Sequence, residues 1–490
     1  MQVLNWLKKQ LKSKKFFYIL ILAVFGLGFG VRLYKIKNPI ADWHSWRQAD
    51  TASVARIYVD EGINLFKPRY YDISSIQTGI YNPKGLRLVE FPLYNAVHAA
   101  LAKNFVFLDF VVWGRLVSIS AALASACFLF LIGKSLMGKW GGLLAAFFFL
   151  FLPYNIYFSR VILPEPLAVT LGLAALWFFM VYIQKNQKLP LFAAGVFFAL
   201  STLIKPFTFF YSLPLIYLAV RKYGWKKLLR RRELLLFADI AIIPFFLWRI
   251  WINSFPAGIP HFSWAFNGDH IRFRPAFWYW IFSERIGHLI LGSWGLIPFS
   301  FGILKFEKKN LFNHFFFLGM VFYVTIFATA SVRHDYYQIF LIPAVSLILA
   351  QGSIYLWDFG NDALHRAFSR SFLAFAVLVM LVSGWLQIKG FYQINHPEII
   401  AAGEALDRIA PKDARVIAPY SGDTAFLYHT KRFGWPVVET TIVEHIKQGA
   451  DFFVTVNFAD PDTKYVKETF KVVEETSQYL IADLREENAK

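Results

Sequence analysis

Ionisable side chains are scarce in this chain, and those it has outside its basic blocks recur at a few edges of long apolar runs. "IADWHSWRQADTASVARIY" (40–58) holds Asp42, His44, Arg47 and Asp50. "EFPLY" adds Glu90, "YFSRVILPEPLAV" adds Arg160 and Glu165, and "STLIKPFTFFYSLP" adds Lys205. "ATASVRHDYYQIFLIP" adds Arg333, His334, Asp335 and Tyr336. Charges at a membrane boundary are expensive and tend to mark a pathway or a site. Lys205, Arg333 and His334 are of the types that hold a phosphate, Arg through a bidentate fork and Lys as a point charge. A neighbouring carboxylate can take the proton of an incoming hydroxyl or amine. A phosphate held by so greasy a chain points to a phosphate carried on a lipid, and the combination fits group transfer.

The elements that must position these residues are apolar. The 490 residues are 57% hydrophobic and 17% charged, with 54 Phe, against about 25% charged for a soluble protein. Runs of roughly 18 apolar residues, each long enough to cross a bilayer, recur along the first 390 positions. We read about eleven spans, near 16–33, 113–134, 139–156, 164–182, 190–204, 206–220, 234–253, 287–304, 312–331, 337–356 and 371–389. The pair flanking Lys205 has one kinked helix as its alternative. The single cysteine, Cys127, excludes an intramolecular disulfide framework. The net charge of +19 does not indicate nucleic acid. From Phe391 onward there are 11 basic against 16 acidic residues, so the excess lies in the membrane part.

That excess falls in blocks: Lys8, Lys9, Lys12, Lys14 and Lys15, and then Arg221 to Arg232. With the amino terminus inside, "GKSLMGKW", "IQKNQKLP", "RKYGWKKLLRRR", "KFEKK" and "HRAFSR" all face the cytoplasm, and all are basic. Residues 16–33 lack a small-residue cleavage site and read as an uncleaved anchor rather than a signal peptide. The expected fold is mainly α: a polytopic bundle over 1–389 with outer loops 34–112 and 254–286. A small soluble α/β domain follows over 390–490, on the outer face of the cytoplasmic membrane. In it "ARVIAP" and "ADFFVTVN" read as strands, "PEIIAAGEALDRIA" and "TIVEHIKQGA" as helices. In the first loop, "TASVARIYVDEGINL" and "EFPLYNAVHAALAKNF" read as interfacial helices. "GDHIRFRPAFWYWIF" reads as an amphipathic flap that brings Arg272 or Arg274 to the phosphate.

Taken in order, these pieces resemble the lipid-phosphate-sugar-dependent glycosyltransferases of the C superfamily, family 39-like. The nearest likenesses are bacterial relatives of the protein O-mannosyltransferases and the aminoarabinose lipid A transferases. The likeness rests on "ADWHSWRQADTA", "EFPLY", "GRLVSISAAL" with Arg115, "RVILPEPL", "LIKPFTFFYSLP" and "RHDYYQIFLIPAVSL". It implies transfer of a sugar from polyprenyl phosphate to a lipid, glycan or protein acceptor at the outer face, with inversion. It implies Asp42 as base with Asp50 as understudy, Glu165 as second catalytic acid, and Lys205 and Arg333 on the donor phosphate. The family's Asp-Glu pattern stands here as Asp-Trp-His. His44, Arg47, Glu90 and Tyr336 are expected to touch substrate, with Trp43 and Trp46 as further stacking faces. No resident cofactor is expected, and a divalent ion on His44, Asp42 and Glu165 is left as an alternative.

Plainer roles exist for each residue. Asp42 can cap a helix, and Ser45 to Gln48 resembles a capping box. Asp50 can pair with Arg47, and Glu90 can neutralise Arg87. Glu165 can serve the helix macrodipole, Lys205 can snorkel, and Arg333 can be a stray loop charge. A flippase of the lipid-linked sugar, a polysaccharide polymerase or ligase, and a scaffold are the competing functions. A transporter favours midplane charges and internal repeats, and neither is found in this sequence.

Overall fold

A computed structural model describes residues 13–228, 230–306 and 310–487. Lys8, Lys9 and Lys12, and Glu307, Lys308 and Lys309 of the "KFEKK" connection, lie outside the described residues. The helical part contains α1 (Lys14–Arg32), α2 (Ser45–Glu61), α3 (Leu93–Asn104), α4 (Phe110–Phe151), α5 (Glu165–Lys185) and α6 (Lys188–Ile204). It continues with α7 (Ser212–Tyr223), α8 (Arg232–Ile252), α9 (Leu296–Leu304), α10 (Phe312–Ile326), α11 (Ile342–Asp358) and α12 (Ala363–Ile388). Among the described residues six helical stretches are long and apolar enough to cross a membrane, and α6 and α10 are shorter apolar helices. The protein is a multi-pass membrane protein.

Each predicted run falls on helix, with local departures. α4 turns back at Gly138, whose φ of 76° suits the residue without a Cβ. The chain around Lys205 is not one kinked helix: α6 ends at Ile204, a 3₁₀ turn covers Pro206–Tyr211, and α7 follows. The flap begins with short helical turns and becomes a π-helix over Tyr279–Ile290. The centre of the bundle is the stretch Asp335–Asp358, most of it buried. There α11 meets α9 so closely that a Cβ on Gly352 would lie 1.7 Å from the Pro298 carbonyl oxygen. Small residues permit this approach, which gives the dispersion contacts that hold helices together in lipid.

α2 and α3 belong to the loop between α1 and α4. α2 is not an interfacial helix: most of its residues are buried, polar Gln48, Asp50, Thr51 and Ser53 among them. It is covered from behind by the carboxy-terminal domain. This domain carries α13 (Pro397–Ile409), α14 (Thr424–Thr430) and five strands: β1 (Val416–Ile417), β2 (Gly434–Trp435), β3 (Phe452–Thr455), β4 (Phe470–Glu475) and β5 (Leu480–Glu487). The order is β2-β1-β3-β5-β4, parallel among the first three and antiparallel at β3/β5 and β5/β4. "ARVIAP" and "ADFFVTVN" supply β1 and β3 as read, while β2, β4 and β5 were not foreseen.

Two seams fix the domain to the first loop. The loop continues the sheet edge, where Gly434 N–H donates to the Tyr71 carbonyl (2.9 Å) and Ile73 N–H to the Gly434 carbonyl (2.9 Å). Arg56 of α2 lies 4.2 Å over the Tyr428 ring, and His429 bonds the Ile40 carbonyl at 2.9 Å.

Candidate functional site

The polar residues singled out in the sequence come together at one end of the bundle, in four adjoining sets. The first is centred on Asp42. Its side chain is fully buried, with Oδ2 3.4 Å from Arg115 Nη2 and 3.3 Å from Arg160 Nη2. Gln48 Nε2 donates to Oδ1 at 2.6 Å. Both arginines also donate to carbonyls in the turn after α1: Arg115 to Ile36 (2.7 Å), Arg160 to Tyr34 (3.0 Å). Asp42 is therefore the shared counter-charge of the two guanidiniums that tie the first loop to α4 and to the turn before α5. The capping box is not formed: His44 is the N-cap of α2, with a φ of 55°, and Gln48 is turned to Asp42.

The second set is a ring of alternating charge drawn from four segments. Arg47 Nη2 lies 2.8 Å from Glu90 Oε1 and 3.8 Å from Glu165 Oε1. Lys205 Nζ lies 3.0 Å from Glu165 Oε1 and 3.6 Å from Glu90 Oε2. Glu90 thus pairs with Arg47 rather than Arg87. Burial pushes the Glu90 carboxyl up, but Arg47 and then Lys205 outweigh it and hold it at about 2. Lys205 is held at the ring rather than extended to the interface, because two buried carboxylates face its ammonium. Neither oxygen of Glu165 nor Glu90 Oε2 has a hydrogen-bond partner among the described residues. Buried polar atoms in native folds rarely stay unmatched without a functional reason.

The third set joins His44 to the start of the central helical stretch. His44 Nε2 makes a short hydrogen bond to Asp335 Oδ1, and Trp43 Nε1 donates to Asp335 Oδ2 at 3.0 Å. Tyr154 Oη donates to the Asp335 carbonyl at 2.6 Å. The His44 ring is 5.2 Å from the Tyr336 ring and 6.0 Å from that of His334. Burial first and His44 second push His334 down to about 4, so at neutral pH it offers no charge to a phosphate.

In the fourth set Asp50 pairs with Arg87 at 2.6 Å rather than with Arg47. Its other oxygen accepts from Thr424 Oγ1 of α14 at 2.7 Å. Behind it lies Asp72, which burial pushes up to about 6.

Not every expected residue arrives. Arg333 is half exposed and faces Asp269 of the flap at 3.5 Å. Arg272 donates to the Phe266 and Ile326 carbonyls, and Arg274 is exposed. These three line the rim, outside the ring of Lys205 and Arg47. The alternative divalent-ion set is not assembled, because Asp42, His44 and Glu165 each belong to a different group. Among the described residues no cluster of three or more His, Cys, Asp or Glu has metal-binding geometry.

Two partners escaped the sequence reading. Asp335 was noticed only beside Arg333, because its partner His44 is 291 positions away. Thr424 carried no signal at all, since it opens a short helix capped by Asp423 and meets Asp50 374 positions away.

Comparison with known proteins agrees with this architecture. The family described as dolichyl-phosphate-mannose-protein mannosyltransferase matches residues 92–251. The chain is similar to the crystal structure of ArnT from Cupriavidus metallidurans bound to undecaprenyl phosphate. The TM-score is 0.66 at 12% identity, over 96% of this chain and 98% of that one. The archaeal oligosaccharyltransferase AglB from Archaeoglobus fulgidus, in complex with an inhibitory peptide and a dolichol-phosphate, is similar with a TM-score of 0.56 at 10% identity. That likeness covers 94% of this chain and 74% of AglB. No curated protein matches the chain by sequence. The fold is the one that ArnT and AglB share.

Proposed function

We propose that this chain is an integral-membrane glycosyltransferase that takes a sugar from polyprenyl phosphate and delivers it on the outer face of the cytoplasmic membrane. One observation carries the reading: Arg47, Glu90, Glu165 and Lys205, from four separate segments, form a buried ring of alternating charge with open carboxylate lone pairs. The fold's likeness to ArnT bound to undecaprenyl phosphate and AglB bound to dolichol-phosphate supports a lipid-phosphate donor.

In this reading the donor phosphate displaces Glu90 and Glu165 as the counter-charge of Lys205 and Arg47. Those cations then stabilise the leaving phosphate, while the freed carboxylates accept hydroxyls of the sugar. An acceptor oxygen attacks the anomeric carbon, and the electron pair of the breaking C–O bond moves to the phosphate. Displacement in a single step inverts the configuration. Asp42, enclosed by two guanidiniums, acts by holding the loop in place, and Asp50 does the same toward the carboxy-terminal domain. The rim residues Arg272, Arg274, Arg333 and His334 guide the lipid headgroup, Arg through charge and His334 through hydrogen bonding. Tyr336 stands between the ring and His44. The sugar is a hexose or pentose, and the acceptor is a lipid, glycan or protein.

The test uses purified protein in nanodiscs with undecaprenyl phosphate itself and with a panel of undecaprenyl-phosphate sugars. Saturable binding of undecaprenyl phosphate, weakened at least tenfold by Lys205→Ala in a folded variant, is expected. Absence of that binding in the wild type would remove the donor assignment.

A further inference from the structure

Between the start of α2 and the carboxy-terminal domain lies a cleft of about 260 Å³. Trp43, His44 and Trp46 form one wall; His396, Tyr420 and Asp423 form the other. The donor reaction above makes no use of it. Two features mark its floor. His44 is a non-glycine residue in the left-handed region, with φ 55°, a conformation that L side chains rarely adopt. Such strain persists where the surroundings over-determine it, commonly at functional sites. Its Nε2 is committed to Asp335, whose second oxygen takes the Trp43 indole N–H. Its Nδ1 has no hydrogen bond among the described residues, and the ring is part of the cleft wall. A histidine oriented by a buried carboxylate with its other nitrogen free is the arrangement that activates hydroxyls elsewhere.

We propose that this cleft receives the acceptor as a carbohydrate, and that His44, positioned by Asp335, removes the proton of the attacking sugar hydroxyl. The inference rests on the lipid-phosphate donor reading and adds the acceptor side to it. The proton of the acceptor O–H goes to His44 Nδ1, and the oxygen lone pair forms the bond to the anomeric carbon. The C–O bond to phosphate breaks, with its electron pair retained by the phosphate oxygen. The Asp335 carboxylate faces the imidazolium so formed, which then returns its proton to water. His44 is the N-cap of the helix that carries Arg47, and the Arg47 N–H donates to the His44 carbonyl at 3.2 Å. The acceptor cleft and the donor ring thus draw on the same first turn of α2.

The lining selects the acceptor class. Trp43 is 40% exposed even though its N–H is bonded and its ring is stacked on Phe391 at 5.0 Å. With Tyr420 opposite, it offers a face to the C–H side of a sugar ring, and Asp423 and His396 offer acceptors for hydroxyls. The space is below the roughly 300–1,000 Å³ of pockets for drug-sized ligands and suits one sugar ring better than a folded peptide.

Three measurements on the full chain in nanodiscs decide it. Tryptophan fluorescence is titrated with methyl glycosides of common hexoses and pentoses, and separately with a serine- and threonine-bearing peptide. At least one glycoside is expected to bind saturably, with affinity reduced tenfold or more by Tyr420→Ala and by Asp423→Asn, which keeps the helix cap. No glycoside binding, unaltered binding in both variants, or saturable binding of the peptide alone would overturn the carbohydrate assignment. Release of undecaprenyl phosphate from undecaprenyl-phosphate sugars is then measured in His44→Ala. A drop of about 10²–10⁴-fold is expected, the range for a lost general base, with tenfold or greater recovery on adding imidazole. A drop without recovery in a variant that still binds undecaprenyl phosphate would overturn the base. The third is undecaprenyl phosphate binding to the wild type, whose failure strikes the donor reading and not the cleft.

Discussion

Removing one charge from the ring of four should cost more than removing two. Lys205→Met leaves one cation, Arg47, against Glu90 and Glu165, all buried. At an effective dielectric constant of about 20, a contact at the 3.0 Å of Lys205 and Glu165 is worth about 5 kcal/mol gross. Relief of repulsion from Arg47 and of the desolvation of the ammonium reduces that. The net loss should be about 3–5 kcal/mol, the usual cost of breaking a buried pair by removing one partner. Adding Glu165→Gln restores neutrality, with Arg47 and Glu90 still 2.8 Å apart, and should recover at least half of the loss. Unfolding followed by pulse proteolysis in detergent, on the wild type, both single variants and the double variant, gives the coupling directly. Undecaprenyl phosphate should protect the wild type more than Lys205→Met. Single effects that add to within about 0.5 kcal/mol, as independent sites do, would refute the ring as an energetic unit.

Three further outcomes follow from the same geometry. Asp42→Asn leaves Arg115 and Arg160 facing each other without a counter-charge and should destabilise the protein by about 3–5 kcal/mol. Equal unfolding of variant and wild type, with only turnover lost, would instead mark Asp42 as a base. Thr424→Val strips a buried Asp50 oxygen of its donor and should cost about 1–3 kcal/mol, read as faster proteolysis between 389 and 396. Asp72 sits near 6 rather than 3.8 because burial disfavours its charge. Its contribution is therefore full below pH 4 and lost as pH rises through 6, a swing of about 3 kcal/mol. Asp72→Asn should remove that slope from stability measured between pH 4 and 7.

The sequence was most informative where chemistry and hydropathy conflict. Glu90, Glu165, Lys205 and Arg47 stood out because a charge beside a long apolar run is costly, and all four meet. Arg333 stood out for the same reason but faces Asp269, since hydropathy gives depth along a helix and not the direction a side chain takes. The alternation of "ADFFVTVN" gave β3, whereas β2 is two residues long and is set only by pairing with β1 and the Tyr71–Ile73 segment. Pairs such as His44 with Asp335, or Asp50 with Thr424, have no local signature. They exist because α2 is wedged between the bundle and the carboxy-terminal domain, which no periodicity records.

The contact of Thr424 with Asp50 joins residues 374 positions apart, and that span has a consequence for biosynthesis. A ribosome makes α2 long before it makes α14, so Asp50 first has only Arg87 as its partner and waits for the Thr424 hydroxyl. A chain that stops before α14 therefore keeps the Asp50–Arg87 pair but lacks the hydroxyl that completes the coordination of Asp50.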